Sequence, residues 1–319
     1  MKSVNPLQFR QDGTFTVVQF TDIHWQEGKE KDMQSRTAME QILDAEKPDF
    51  VMFTGDVIYA CLEDENRVTC EDPRRALREA VDAVVQREIP WALVFGNHDT
   101  EYGITREELM QEVLKQPFNR TEAGPEHIDG TGNYVLPIQS SQSEAPAALL
   151  YGFDSGDYSK HPSIDGYEWI RQSQIQWYIE QSNAWKVRND GASLPALAFF
   201  HIPLHEYKLM WDNAICYGQK YEDICVSKMQ TGLFAAMIEQ EDVMATFCGH
   251  DHVNDFWGSY YGIELYYGRA TGYNTYGKEG MLRGGRVIRL TEGQRKLESW
   301  LRLADGSVIE QQPEHHPER

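Results

Sequence analysis

Residues 15–24, Phe15-Thr-Val-Val-Gln-Phe-Thr-Asp-Ile-His24, set the pattern on which the chain is built. An apolar, β-branched run, residues 15–20, stops abruptly at Thr21-Asp22, as a buried strand would. The pattern returns at residues 50–53, ending in Thr54-Gly55-Asp56, and at residues 91–95, ending in Gly96-Asn97-His98-Asp99. Between the first two lies a helical stretch, residues 33–45, with apolar Ala38, Ile42 and Ala45 and a stop before Lys47-Pro48. Between the second and third, Asp72-Pro73 is a cap followed by a proline in the first turn. It opens a helix with an apolar face of Leu77, Ala80, Val81, Val84 and Val85. Strand, helix, strand, helix, strand predicts a parallel sheet covered by helices.

The remainder is less regular. Residues 133–138 and 147–153 flank a polar Ser/Gln stretch and predict a hairpin with a long loop. Residues 168–185 predict an amphipathic helix, and Ser227 is placed as the cap of another through Ile238. Residues 194–200 predict a strand ending at His201-Ile202-Pro203, and residues 243–248 one ending at Gly249-His250-Asp251-His252. Further strands are expected at 263–267, 286–290 and 297–303. With no repeat and no linker composition, the expectation is one domain over residues 1–310 and a frayed polar tail, 311–319, whose His315-His316 pair is solvated.

The chain has 319 residues, 41% of them hydrophobic, enough for a packed core, and no apolar run approaches the roughly 18 residues of a membrane span. Fifty acidic side chains against 30 basic ones give a net charge of −20, which argues against binding nucleic acid or an anionic membrane. Cys61, Cys70, Cys216, Cys225 and Cys248 form no C-x-x-C pair, so free thiols are expected, with Cys61/Cys70 and Cys216/Cys225 as the alternative bridges. Residues 1–11 lack the apolar core of a signal peptide, which predicts a cytoplasmic protein; a chain with its leader already cleaved would read the same.

Five polar clusters follow strand patterns: Asp22-x-His24, Gly55-Asp56, Gly96-Asn97-His98-Asp99, His201 and Gly249-His250-x-His252. Strand ends of one polarity form the ligand crevice of an open α/β sheet, so the five should converge. Alternation of side chains along a strand would point Asp22 with His24, and His250 with His252, each pair gripping one ion. Singly, such clusters are turns. Five together, made only of carboxylate, imidazole and amide groups, point to metal. Imidazole, carboxylate and amide oxygen without cysteine suit Fe, Mn or Zn in a catalytic rather than a structural site.

In order and spacing these motifs resemble the calcineurin-like metallophosphoesterases, over residues 15–290, and within them the branch related to the small plant purple acid phosphatases. The closer likeness lies in Ser155-Gly156-Asp157-Tyr158-Ser159, Phe200-His201-Ile202-Pro203-Leu204, Gly249-His250-Asp251-His252-Val253-Asn254-Asp255-Phe256 and Tyr276-Gly277-Lys278. The resemblance implies a four-layer α-β-β-α sandwich of two mixed sheets flanked by helices. It implies two metal ions per chain, Asp22, His24 and His252 on the first, Asn97, His201 and His250 on the second, and Asp56 bridging both. It further implies hydrolysis of phosphomonoesters by in-line attack of a metal-bridging hydroxide, with His98 assisting the leaving group or the developing charge. The substrate would be a small phosphorylated molecule or a phosphoprotein. A small-diester or nucleotide phosphodiesterase is the alternative, and a non-enzymatic scaffold the remote one.

Purple acid phosphatases use a tyrosinate three residues after the bridging Asp and lack the His of D-x-H; this chain has both Tyr59 and His24. Crowding favours His24 as ligand, with Tyr59 lining the pocket. Asp99 is expected either to support the ligands from behind or to form a structural salt bridge. His205, His161, Tyr158, Tyr217, Tyr273 and Asn274 are further pocket candidates.

Overall fold

A computed structural model describes residues 6–64 and 67–317. The first half delivers the expected alternation: β1 (Thr14–Phe20), α1 (Glu30–Glu46), β2 (Phe50–Thr54), α2 (Pro73–Val85), β3 (Trp91–Val94) and α3 (Arg106–Val113). Asp72 caps α2 by accepting from the Arg75 N–H at 3.0 Å, with Pro73 in the first turn. The second half contains β4 (Tyr134–Gln139), β5 (Pro146–Gly152), α4 (Gln172–Arg188), β6 (Ala196–Phe199), α5 (His205–Asn213) and α6 (Leu233–Gln240). After them come β7 (Val243–Cys248), β8 (Trp257–Tyr260), β9 (Ile263–Tyr267), β10 (Gly284–Thr291) and β11 (Leu297–Leu303).

These strands build two large mixed sheets. One runs Val308–Ile309, β11, β10, β1, β2, β3, with β1 to β3 parallel and the rest antiparallel. The other runs Leu7–Gln8, β4, β5, β6, β7, β9, β8, Cys216–Tyr217, Glu314–His315, with β5, β6, β7 and β9 parallel at its centre.

Period-2 alternation explains how one strand serves two layers. From β1, Phe15 and Val17 enter the layer between the sheets with Phe50, Met52, Leu150, Phe199 and Phe247. Val18 and Phe20 face the other way, onto Met39 and Ile42 of α1 and Leu77 and Val81 of α2. On the far side, Tyr151, Ala198 and Tyr267 meet Trp177 of α4, Met210 of α5 and Phe234 of α6. The result is the four-layer α-β-β-α sandwich.

Three expectations need correction. Ser227 caps no helix: its hydroxyl accepts from the Met229 N–H at 3.1 Å in a local turn, and α6 starts after Gly232. The 168–185 helix starts late, at Gln172, because the Gln174 side chain accepts from the Arg171 N–H at 2.7 Å and sets the boundary there. Nor is the tail frayed over its described length. Glu314–His315 pairs with Cys216–Tyr217, and the His315 ring stacks on Trp211 at 3.7 Å rather than standing in solvent. All five cysteines are free thiols. No helix among the described residues is long and apolar enough to cross a membrane.

Candidate metal centre

Each ligand candidate leaves the carboxyl end of a strand: Asp22 and His24 after β1, Asp56 after β2, Asn97 (with His98 beside it) after β3, His201 after β6, His250 and His252 after β7. The first three strands belong to one sheet and the last two to the other, so the site sits where the sheets meet. Asp22, His24, Asp56 and His250 adopt left-handed backbone at φ of 53°, 53°, 49° and 81°. That conformation costs a residue with a Cβ, and its concentration at one place marks a functional site. It also corrects the alternation argument. Asp22 and His24 lie beyond β1, and loop backbone turns them inward: the Asp22 N–H donates to the Gly55 carbonyl at 3.1 Å and the His24 N–H to that of Asp56 at 2.9 Å. Gly96 is needed for close approach, since a Cβ there would lie 2.1 Å from Asp56 Oδ1.

The side chains form two buried groups. Asp22, His24, Asp56 and His252 present ligand atoms within 4.8 Å of one another; Asp56, His201 and His250 do the same. Asp56 belongs to both. His250 and His252 therefore part company, one in each group, instead of gripping a single ion. Asn97 joins the second group, its Oδ1 3.1 Å from His201 Nε2.

Backbone and hydroxyl partners aim these rings. His201 Nδ1 donates to the Thr54 carbonyl at 2.8 Å, which turns Nε2 toward the cluster. His252 Nδ1 is bonded to the Thr275 hydroxyl, leaving Nε2 3.5 Å from Asp22 Oδ1. Asn97 Nδ2 donates to the Tyr158 hydroxyl at 3.1 Å, which commits the amide oxygen to the cluster. Asp99 makes no salt bridge among the described residues. Its carboxylate accepts from the N–H groups of Asp56, Ile58 and Gly96 at 3.0, 2.9 and 2.7 Å, tying the loops after β2 and β3 together.

The electrostatics are those of a preformed cation site. Burial opposes charge on Asp56, but His201, His98 and His24 outweigh it and hold the carboxyl well below its ordinary range. Burial also works against protonation of His201, yet Asp56 prevails and raises its pKa to about 9. His24 goes the other way, pushed by burial to about 4. Burial, reinforced by the charge of Asp56, lifts Asp99 to about 6. Among the described residues, His24 Nε2, Asp56 Oδ2 and His250 Nε2 are buried without a hydrogen-bond partner. Orphaned lone pairs of this kind, converging from carboxylate and imidazole, fit a divalent metal centre.

Around the groups stand side chains of mixed legibility. The Tyr59 ring lies 5.2 Å from His24 and 5.1 Å from His98. Asn274 donates to the His24 carbonyl at 3.0 Å, and Tyr273 donates its backbone N–H to Ser35. Tyr217 is displaced from the site: it lies in the short outer strand Cys216–Tyr217 and packs on Trp257. His205 opens α5 in a separate crevice with Pro203, Ser227 and Gln230, and His161 is an exposed loop residue. Sequence reasoning missed Glu101, bonded to His98 Nδ1 at 2.8 Å, and also Tyr167, Tyr276 and Glu222. Spacing could have found Glu101, since positions i and i+3 eclipse in the 3-10 turn His98–Thr100. Nothing local announces Tyr167 and Glu222; Tyr276 stands in the Tyr276-Gly277-Lys278 segment of the resemblance, without a role assigned to it there.

Comparison with known proteins follows the same line. The profile of the calcineurin-like phosphoesterases matches residues 15–254. A protein of Arabidopsis thaliana named "Probable inactive purple acid phosphatase 29" is 33% identical over 346 residues, covering 96% of this chain and 87% of its own length. Phosphatase DCR2 of Saccharomyces cerevisiae is 33% identical over 78% of this chain and 46% of its own. A dimetal phosphatase from Danio rerio shares the fold at a TM-score of 0.57 and 13% identity, covering 89% of this chain and 98% of its own.

Proposed function

The chain belongs to the calcineurin-like phosphoesterases, and from that premise we propose that it is a binuclear metal-dependent phosphomonoesterase. The observation that carries this reading is the intact pair of buried ligand groups sharing Asp56, each with an orphaned donor atom facing inward. The word inactive belongs to the name of the Arabidopsis relative; here every carboxylate, imidazole and amide of the expected set is present. Asp22, His24 and His252 would hold one cation, Asn97, His201 and His250 the other, and Asp56 both. The donors suit Fe, Mn or Zn. Such a pair of cations, when bound, polarises phosphoryl oxygens and lowers the pKa of water to about 7.

The chain's own residues supply the rest. His98 Nδ1 donates to Glu101 Oε2, so Nε2 is the nitrogen free to protonate the departing alkoxide. Burial disfavours its charged form, but Asp56 and Glu101 overcome that and raise its pKa, keeping the proton on the ring. Tyr158 donates to Glu101 Oε1 at 2.7 Å while accepting from Asn97, so one hydroxyl steadies both a ligand and the carboxylate behind His98.

The test compares p-nitrophenyl phosphate with bis(p-nitrophenyl) phosphate on protein of measured metal content. The monoester is expected to be the better substrate, and Asp56→Ala to remove both turnover and bound metal. Full turnover in a metal-poor Asp56→Ala protein rejects the reading. A diester preference replaces it with a phosphodiesterase.

A further inference from the structure

The mouth of the metal centre is aromatic and acidic. Tyrosine stands against four of the ligands: Tyr59 beside His24, Tyr158 on Asn97, Tyr167 edge-on to His250 at 4.4 Å, and Tyr276 over His252 at 4.3 Å. Tyr158 and Tyr167 are stacked at 5.8 Å, and Tyr158 and Tyr276 are 40% and 56% exposed, so these rings form the entrance wall and not the core. Two carboxylates back the wall. Glu101 bonds Tyr158 and is offset by His98. Glu222 bonds the Tyr276 hydroxyl and the Val253 N–H at 2.7 Å, both neutral donors, and has no cationic partner among the described residues. No lysine or arginine among them makes a hydrogen bond or ion pair to the side chain of a ligand.

A site for an anionic ester ordinarily places Arg or Lys where extra anionic charge on the substrate would lie. This one places there tyrosine rings and a carboxylate without an ion-pair partner among the described residues, in a chain of net charge −20; Arg283 is engaged with main-chain carbonyls, donating to those of Thr275 and Tyr276 at 3.0 and 2.8 Å. Aromatic faces with a nearby carboxylate attract ammonium groups, and the overall field draws cations toward the mouth.

We propose that the entrance selects phosphomonoesters whose alcohol carries a positive charge close to the phosphate, an ammonium seated between Tyr276, Tyr167 and Glu222. The proposal rests on the phosphomonoesterase reading. The charge can come from a small amino alcohol or from a lysine beside a phosphoserine.

The deciding experiment uses an isosteric pair on metal-replete protein: phosphocholine and 3,3-dimethylbutyl phosphate, which differ only in N⁺ against C. The kcat/KM for phosphocholine should exceed that of its neutral twin by about tenfold, with the ratio shrinking as salt is raised. Glu222→Gln and Tyr276→Leu should each bring the ratio toward one. A phosphoserine peptide with flanking lysines, against its glutamine counterpart, distinguishes the sources: a larger ratio there assigns the charge to a peptide. If p-nitrophenyl phosphate is hydrolysed but neither ratio exceeds one, or Glu222→Gln leaves both unchanged, the inference is overturned and the phosphomonoesterase reading stands. If no monoester is hydrolysed at all, both fall.

Discussion

Glu101 reaches back one 3-10 turn to His98, and its second oxygen takes the proton of Tyr158. The expected consequence is a split by leaving group. Glu101→Gln should lower kcat/KM for an alkyl phosphate by about tenfold or more, because alkoxide departure needs the proton that His98 delivers. For p-nitrophenyl phosphate, whose leaving group departs unprotonated, the loss should be within a factor of about three. Steady-state rates on the two esters check this, and equal losses on both would make Glu101 a packing residue. At this scale the sequence was informative about identity and blind to partnership. Asp22, Asp56, His201 and the rest could be named because carboxylate and imidazole at strand ends have few other uses. Glu222 and Tyr276 are 54 positions apart and meet only through the fold, so no spacing reveals them.

The elements divide similarly. Most strands of both sheets were visible because each is a short apolar run bounded by turn residues; β8, four residues with a glycine, and the two-residue strands at the sheet margins went unseen. The helix at residues 168–185 was visible in kind but not in boundary, and α3 and α5 went unseen, since each is short and only partly apolar. A tail stabilised by one stacked histidine and a two-residue strand leaves no periodic trace at all. What matters for the site is the exit from each strand. Gly96→Ala would drive a methyl group to within 2.1 Å of Asp56 Oδ1, so it should cost about 1–3 kcal/mol of stability and also lower metal content. Asp72→Ala, which removes the cap of α2 at a distance from the ligands, should cost about 1 kcal/mol and leave metal content alone. Denaturant midpoints together with metal analysis separate the two.

For the whole molecule, the cation site is a stability device as well as a chemical one. Buried carboxylates and imidazoles with orphaned atoms are held together in the folded chain and dispersed in the unfolded one, so metal binds only the former. A cation at a hundred times its Kd contributes about 2.7 kcal/mol. Chelation is therefore expected to lower Tm by several degrees without altering far-UV circular dichroism at 25 °C, and restoring a divalent cation should bring Tm back. An unchanged Tm would show that the groups do not take up metal in the native state.

The span between partners has a consequence for the order of events in the cell. His250 N–H donates to Asp22 Oδ1 across 228 positions of chain, and the two flank the seam between sheets. A nascent polypeptide that has exposed the D-x-H and G-N-H-D segments to the cytosol or any other compartment still lacks the imidazoles that complete either nest. Completion of both nests must thus wait until synthesis has passed His252 and both sheets have docked. Which divalent cation is taken up then depends on the ions on offer where folding finishes, and not where translation begins.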